Sequence, residues 1–132
     1  MKFSTRSSYG LRAVIDLAKN YGKGTLSLGE IAKKEKISQA YLERLAASLK
    51  MAKVIKSTRG VKGGYELTRA PSKISVAEVV ASLEGSLAPF TCVDGDVKLI
   101  CKDDCCSVRR VWVELKKSME KTLGKMTLKD LL

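Results

Sequence analysis

Residues 37–50, ISQAYLERLAASLK, constrain the fold more than any other stretch because they carry a helix start and a regular apolar stripe. Ser38 is placed to accept a hydrogen bond from the backbone N–H of Tyr41 as an N-cap. Four apolar side chains then repeat at the three-and-four spacing of one buried helical face: Leu42, Leu45, Ala46 and Leu49. The opposite face carries Gln39, Ala40, Glu43, Arg44 and Ala47.

A second short amphipathic helix is predicted immediately upstream, over residues 28–35, beginning at Ser27 or Leu28. Only Lys36 and Ile37 remain to turn the chain between the two helices. Two helices joined this tightly are typical of a helix-turn-helix, in which the second helix enters the major groove of DNA. Consecutive amphipathic helices also occur in ordinary helical bundles, so this pair alone leaves both interpretations open.

The segment after the pair favours DNA binding. Residues 54–59 are rich in β-branched side chains and end at Gly60, and Gly63 and Gly64 lead into residues 65–68. Two short strands flanking a basic, glycine-rich turn are therefore predicted. A basic hairpin directly after a helix-turn-helix is a wing.

Positive charge is concentrated in the half of the chain that contains the predicted helix-turn-helix and wing. The 132 residues carry a net charge of +11, with 15 Lys and Arg against 5 Asp and Glu in residues 1–70, but 10 against 9 in residues 71–132. A basic excess can also attract acidic membranes, but the sequence shows no strongly basic amphipathic helix with bulky aromatics. Nucleic acid is therefore the better partner.

Length and hydropathy indicate one compact protein with 45% hydrophobic residues. No apolar run is long enough for a membrane span, and the first ten residues lack the apolar core of a secretory signal. We expect a cytoplasmic protein without disulfides and without a membrane partner.

Three more helices are predicted around this unit. The first covers residues 5–20, with an apolar face of Tyr9, Leu11, Ala13, Val14, Leu17 and Ala18. Another begins at a capping box formed by Ser75 and Glu78 and ends at Gly85. A loop follows over residues 86–104, and residues 106–123 return to helical spacing through Val108, Val111, Trp112, Leu115, Met119 and Leu123. This long apolar stripe suggests a homodimer interface.

The predicted fold is mainly α with a small β-hairpin wing. It comprises a winged helix-turn-helix over residues 1–70, and a sensor loop with a long C-terminal dimerisation helix over residues 71–132.

All four cysteines lie in or next to the predicted loop, as Cys92, Cys101, Cys105 and Cys106. Their C-x8-C-x3-C-C spacing lacks the paired C-x2-C knuckles of structural zinc sites. Several thiolates on one loop suit an iron-sulfur cluster, because soft sulfur ligands stabilise iron. Zinc and free thiols are the alternatives.

With the wing and the cysteines both in view, almost the whole chain resembles the IscR/NsrR family of winged-helix transcription regulators. The resemblance rests on MKFSTRSSYGLRAVIDLA, ISQAYLERL, STRGVKGGYEL and ISVAEVV, on the loop cysteines, and on Trp112. It implies a homodimer that binds partly symmetric double-stranded operators and senses iron-sulfur status or nitric oxide. The family also has cluster-free, CymR-like members.

The resemblance assigns the cluster ligands to Cys92, Cys101 and Cys106, with Cys105 competing for the last place or completing the set. The fourth ligand departs from the family, because Arg109 stands at the IscR position and Ser8 at the NsrR position. Cys105, Asp103, Asp104 or a group from the partner subunit is left to complete four-coordination. Whether the cluster is 2Fe-2S or 4Fe-4S therefore stays open.

In the DNA-binding half, the resemblance and the chemistry select candidate contacts from the recognition helix and the wing. Glu43 is a candidate acceptor for cytosine N4, and Arg59 a candidate groove contact. Ala40 and Arg44 differ from IscR, which predicts a shifted operator preference. The DNA-binding candidates are Ser38, Gln39, Tyr41, Glu43, Arg44, Lys56, Arg59, Lys62, Gly63, Gly64 and Tyr65.

An enzyme is not expected, because the chain has no histidine, no G-x-S-x-G motif and no phosphate-binding loop. We predict a sequence-specific regulator switched by an iron-sulfur cluster on the loop cysteines. The alternatives are a cluster-free regulator controlled by a protein or small molecule, and a metal- or redox-handling protein.

Overall fold

The structure is a computed structural model that describes residues 3–60, 63–95 and 107–132. Within these ranges the chain forms five α-helices and two strands: α1 (Thr5–Lys19), α2 (Leu28–Glu35), α3 (Gln39–Met51), β1 (Ile55–Thr58), β2 (Gly64–Leu67), α4 (Val76–Glu84) and α5 (Ser107–Lys125). Single 3₁₀ turns cover Pro71–Lys73, Thr91–Val93 and Leu128–Leu131. The mainly helical winged architecture predicted from the sequence is confirmed.

Helix starts follow local side-chain chemistry. The Tyr41 amide donates to Ser38 Oγ at 3.1 Å, so the N-cap predicted for the recognition helix is present. The capping box of Ser75 and Glu78 is also present at the start of α4. Ser27 and Glu30 form a second box at the start of α2. Each box satisfies backbone donors that the first helical turn leaves without partners.

The turn between α2 and α3 is short because one residue reverses the chain. Lys36 adopts the left-handed conformation with φ 56°, and the Ile37 amide donates to the carbonyl of Ala32 at 3.1 Å. Non-glycine residues adopt this conformation only occasionally, so the turn depends on the packing of both helices.

One hydrophobic core joins α1, α2, α3, the hairpin and α4. Its most deeply buried side chains include Val14, Ile31, Leu42, Leu49, Val54, Ile74 and Val79. Helices α1 and α4 approach closely at Gly10, where an added Cβ would lie 2.3 Å from Cδ1 of Leu83. The buried face of α1 differs from the predicted one, because Ser7, Gly10 and Asp16 are buried while Tyr9 and Leu11 are only partly covered.

β1 and β2 pair antiparallel, with Ile55 opposite Leu67 and Ser57 opposite Tyr65. On its other side β2 pairs with Leu26, whose amide and carbonyl both bond to the backbone of Tyr65. A Cβ at Gly64 would lie 2.5 Å from the Leu26 carbonyl oxygen, so this approach requires glycine. The wing is therefore anchored to the segment that precedes α2.

In the described part of the predicted loop, Thr91–Val93 form a short 3₁₀ turn. α5 begins at Ser107 and ends at Lys125, close to its predicted limits, and none of its residues is buried. Leu128 then returns to the core, and its amide donates to the carbonyl of Ile74 at 3.0 Å. No described helix is long and apolar enough to cross a membrane.

Candidate DNA-binding surface and cysteine segment

The outer face of α3 is open to solvent. Gln39, Ala40, Glu43, Arg44 and Ala47 are all exposed, as the predicted recognition face requires. Within the described ranges, Glu43 pairs with neither Arg44 nor any other cation. Its carboxylate and the Arg44 guanidinium are both available to a ligand.

Tyr41 connects this face to α1. Its ring meets that of Tyr9 edge to face, with centroids 6.2 Å apart, and its hydroxyl lies 3.3 Å from Oγ1 of Thr5. The guanidinium of Arg12 stacks over the Tyr9 ring at 5.6 Å from the centroid. The start of the recognition helix is thus held against α1, and only part of Tyr41 remains exposed.

A long-range ion pair orients α2 against α1. Lys34 Nζ lies 2.5 Å from Oδ1 of Asp16, a carboxylate whose side chain is 4% exposed. Asp16 holds the ammonium form, so the pKa of Lys34 is raised. The neighbouring Asp16 carboxylate, assisted by burial, raises the pKa of Glu35. A charged cluster therefore fixes the first helix of the helix-turn-helix.

The wing places its cations beside the recognition helix. Lys56 pairs with Glu66 across the hairpin at 3.5 Å, while Arg59 is exposed and makes no ion pair in the described part of the chain. The turn closes through a bond of 2.8 Å from the Gly63 amide to the Gly60 carbonyl. A Cβ at Gly63 would lie 2.6 Å from the Thr58 carbonyl oxygen, which explains the glycine there. Lys62, a predicted DNA contact of the wing, lies outside the described residues.

Cys92 is half-buried and free, in the 3₁₀ turn that packs against α5. Arg109 Nε donates to the Cys92 carbonyl at 3.3 Å, and Lys116 Nζ donates to the Val93 carbonyl at 2.9 Å. The rings of Phe90 and Trp112 pack with centroids 4.5 Å apart. Three side chains of α5 therefore fix the segment that carries the first cysteine.

The other predicted ligands, Cys101, Cys105 and Cys106, lie outside the described residues. Among the residues that are described, no three His, Cys, Asp or Glu side chains are grouped as a metal site. The predicted cluster ligands thus remain a prediction from the sequence.

A polar cluster absent from the sequence prediction ties the start of α1 to the end of α4. Glu84 Oε1 accepts from the Ser7 hydroxyl at 2.6 Å and from the Ser4 amide and hydroxyl at 2.8 Å each. Burial alone would raise the pKa of Glu84, but these bonds and the nearby Arg6 outweigh it, so its pKa is lowered. The partners lie about 80 residues apart along the chain, and no local motif connects them.

An exposed second helix in a tight helix-turn-helix, followed by a glycine-closed basic hairpin, defines a winged-helix DNA-binding protein. Residues 3–132 match the family profile Rrf2, described as an iron-dependent transcriptional regulator. The chain therefore belongs to the Rrf2 family of transcriptional regulators, and its resemblance to IscR/NsrR-type members is confirmed.

Individual relatives agree with this assignment. The chain is 35% identical over 131 residues to the transcriptional regulator CymR of Bacillus subtilis, covering 99% of this chain and 89% of that protein. It is 38% identical over 132 residues to protein rrf2 of Nitratidesulfovibrio vulgaris, covering 100% and 87%.

Solved structures show the same fold over almost the whole chain. The structure of CymR, the global cysteine regulator of B. subtilis, matches with a TM-score of 0.80 at 34% identity, covering 99% of this chain and 95% of that one. The structure of IscR from T. potens matches with a TM-score of 0.79 at 39% identity, covering 99% and 85%. CymR is named as a transcriptional regulator and as a global cysteine regulator.

Proposed function

We propose that this Rrf2-family regulator binds a partly symmetric operator as a homodimer and that an iron-sulfur cluster on its loop cysteines switches that binding. The observation that carries the DNA-binding part is the unpaired outer face of α3 beside the wing. α3 would enter the major groove, while Arg59 at the end of the wing would reach the adjacent groove edge or phosphates.

Glu43 gives this surface its sequence preference. A carboxylate beside the phosphate backbone is repelled unless it accepts from a base, and cytosine N4 is the donor that the major groove offers it. Because Glu43 has no cationic partner within the described ranges, an ion pair does not account for its position. Arg44, on the same face, matches the O6 and N7 acceptors of guanine.

An operator selected from random-sequence duplexes tests this interface. Glu43→Ala should lose most of the discrimination at one base pair, where a mismatch costs ~1–3 kcal/mol, and keep its affinity for unrelated DNA. Arg59→Ala should instead weaken all sequences and reduce the salt dependence by about one unit if Arg59 contacts a phosphate. If wild type and Glu43→Ala rank the same operator variants identically, Glu43 does not read a base.

The dimer part of the proposal rests on α5. Val108 and Val111 are each 56% exposed, and Trp112, Leu115 and Met119 follow at helical spacing on a helix without a buried residue. Exposed apolar side chains repeated along one helix stripe favour association with a second copy. Sedimentation equilibrium should give a dimer for the wild type and a monomer for Val111→Glu.

The cluster part rests on the chemistry of the thiols. Cys92, Cys101 and Cys106 would hold the cluster, and Cys105 is either the fourth ligand or a substitute for Cys106. A bound cluster would supply redox or nitric oxide reactivity. The chain itself contributes a fixed Cys92, because Arg109 and Lys116 bind the carbonyls of its turn.

Anaerobically purified protein tests this part without any DNA. It should be coloured and contain iron and sulfide, and Cys92→Ala, Cys101→Ala and Cys106→Ala should each lose both. Colourless protein that reconstitution does not change would contradict the cluster.

One observation favours a second candidate, a cluster-free, CymR-like regulator. Arg109 stands at the family's fourth-ligand position, where its protonated guanidinium has no lone pair to offer a metal. It donates instead to the Cys92 carbonyl, and the chain contains no histidine. The iron and sulfide analysis separates the two candidates directly.

A further inference from the structure

β1 is the outer strand of the wing sheet. β2 pairs with β1 on one side and with Leu26 on the other, so both edges of β2 are occupied. In the described part of the chain, β1 has no partner on its second side. An unpaired edge offers N–H and C=O groups to another strand.

The hydrogen-bond pattern between β1 and β2 determines which backbone groups of β1 face its open edge. The Thr68 amide donates to the Val54 carbonyl at 3.1 Å, which makes these two residues a hydrogen-bonded pair. Because such pairs alternate in an antiparallel ladder, the backbone groups of Ile55 and Ser57 point away from β2. Tyr65, opposite Ser57, confirms the alternation, since it directs both its backbone groups to Leu26.

The open edge lines a groove of about 920 Å³. Ile55 and Ser57 form part of its wall, together with Ala52 and Thr68. Five cationic side chains surround it, from the end of α3, the following turn, the wing and the segment after β2: Lys50, Lys53, Lys56, Arg59 and Arg69. We call this region the β1-edge groove.

The charges of the groove are not balanced. Its single acidic lining residue, Glu78, pairs with Arg69 at 2.8 Å, and Lys56 pairs with Glu66 at 3.5 Å. Lys50, Lys53 and Arg59 make no ion pair in the ranges that the structure describes. The groove therefore combines a positive surplus with the outward backbone groups of Ser57, which is exposed, whereas Ile55 is buried.

A lysine on an edge strand commonly serves to prevent aggregation, and Lys56 fits that role. Lys50, Lys53 and Arg69 lie outside β1, so strand protection does not explain them. We propose that the β1-edge groove binds an extended, acidic segment of a partner protein, which adds a strand to β1 and places its carboxylates among these cations. The proposal does not depend on the cluster or on the operator.

DNA phosphates would also be attracted to these cations, but a phosphate backbone cannot continue a β-ladder. Duplex binding along the groove would use the side chains, whereas strand addition would engage the amide of Ser57. The Ser57 amide is therefore the atom that distinguishes the two ligands.

The test uses a labelled peptide that alternates glutamate and valine, titrated by fluorescence anisotropy against the full chain at low salt. Ser57→Pro removes an outward amide without removing a bond to β2, because proline is tolerated where an edge N–H faces solvent. Loss of one backbone hydrogen bond should weaken peptide binding about fivefold. Ser57→Ala, which keeps the amide, is the matched control and should bind as the wild type does.

Two further measurements do not require Ser57→Pro to fold. In wild type, the peptide should slow amide exchange at Ser57 and leave Lys56, already bonded to β2, unchanged. The double variant Lys50→Gln with Lys53→Gln should bind the peptide more weakly, and a peptide alternating lysine and valine should not bind.

Failure of the acidic peptide to bind would overturn the proposal, as would unchanged exchange at Ser57. If the double variant loses affinity for duplex DNA and the peptide does not bind, the groove belongs to the DNA-binding surface and the proposal is wrong. Equal binding by folded Ser57→Pro and Ser57→Ala would exclude strand addition.

Discussion

Arg109 donates a hydrogen bond from Nε to the backbone carbonyl of Cys92 at 3.3 Å. The residue at the family's fourth-ligand position thus acts on the protein backbone, and it links the first cysteine to α5. Because α5 also carries the exposed valines proposed for the dimer interface, the cysteine segment and that interface share one helix. A change at Cys92 would therefore act directly on the helix that is proposed to form the dimer interface.

Arg109→Ala should loosen the turn that carries Cys92. Loss of the bond to the Cys92 carbonyl should raise amide exchange at Val93 and Asp94, whose amides close this turn. A net contribution of ~1 kcal/mol for one such bond corresponds to about a fivefold increase in exchange rate. Hydrogen exchange read by mass spectrometry measures it. Arg110→Ala removes a neighbouring exposed cation and should leave exchange at Val93 and Asp94 unchanged. If the two variants raise exchange equally, Arg109 acts only through its charge.

Ser38→Ala should destabilise the recognition helix. The Ser38 hydroxyl accepts from the Tyr41 amide at 3.1 Å, and loss of an N-cap costs ~1 kcal/mol. Urea unfolding should show this loss of stability, together with weaker operator binding. Ser38→Asn retains a capping oxygen and should stay close to wild type in stability. If Ser38→Ala unfolds at the wild-type urea concentration, the cap does not stabilise the fold.

Glu84→Gln should change how stability depends on pH. The hydrogen bonds from Ser7 and Ser4 overcome the opposing effect of burial and lower the pKa of Glu84. Ionised Glu84 therefore stabilises the fold at every pH above the ordinary glutamate pKa. This stabilisation is lost as the pH falls through the lowered pKa. The variant should therefore be less stable by ~1.5–3 kcal/mol at neutral pH, with a gap that narrows as pH falls below the ordinary glutamate pKa.

Thermal unfolding across this pH range measures the effect of Glu84→Gln. Glu114→Gln, at an exposed carboxylate of α5, serves as the control and should shift stability little at any pH. A stability gap for Glu84→Gln that is constant with pH would show that its ionisation contributes nothing.

The elements that could be predicted from the sequence are those fixed by residues close together in the chain. Ser38 with Tyr41 and Ser75 with Glu78 lie three residues apart, and such caps can be read directly from the chain. The hairpin was recognised in the same way, from β-branched runs separated by glycines. These elements supplied the recognition helix and the wing.

The contacts that the sequence did not predict join residues that lie far apart in the chain. The apolar periodicity of α1 did not predict that Asp16 is buried. A buried carboxylate depends on a partner, here Lys34 in another helix, which periodicity does not show. Leu26 pairs with β2 through a single residue, too short to show strand alternation. Sequence identified the cysteines as a group, but the spacing of Cys105 and Cys106 does not determine which of them faces the other ligands.

The most direct test of the proposed switch is an operator titration of one protein preparation before and after anaerobic reconstitution with iron and sulfide. Coupling between two sites usually amounts to ~1–3 kcal/mol, so operator affinity should differ roughly 5- to 150-fold between the two forms. Cys92→Ala, Cys101→Ala and Cys106→Ala should each abolish that difference, and Cys105→Ala should do so only if Cys105 is a ligand. Equal operator affinity of the cluster-loaded and cluster-free wild type would contradict the switch.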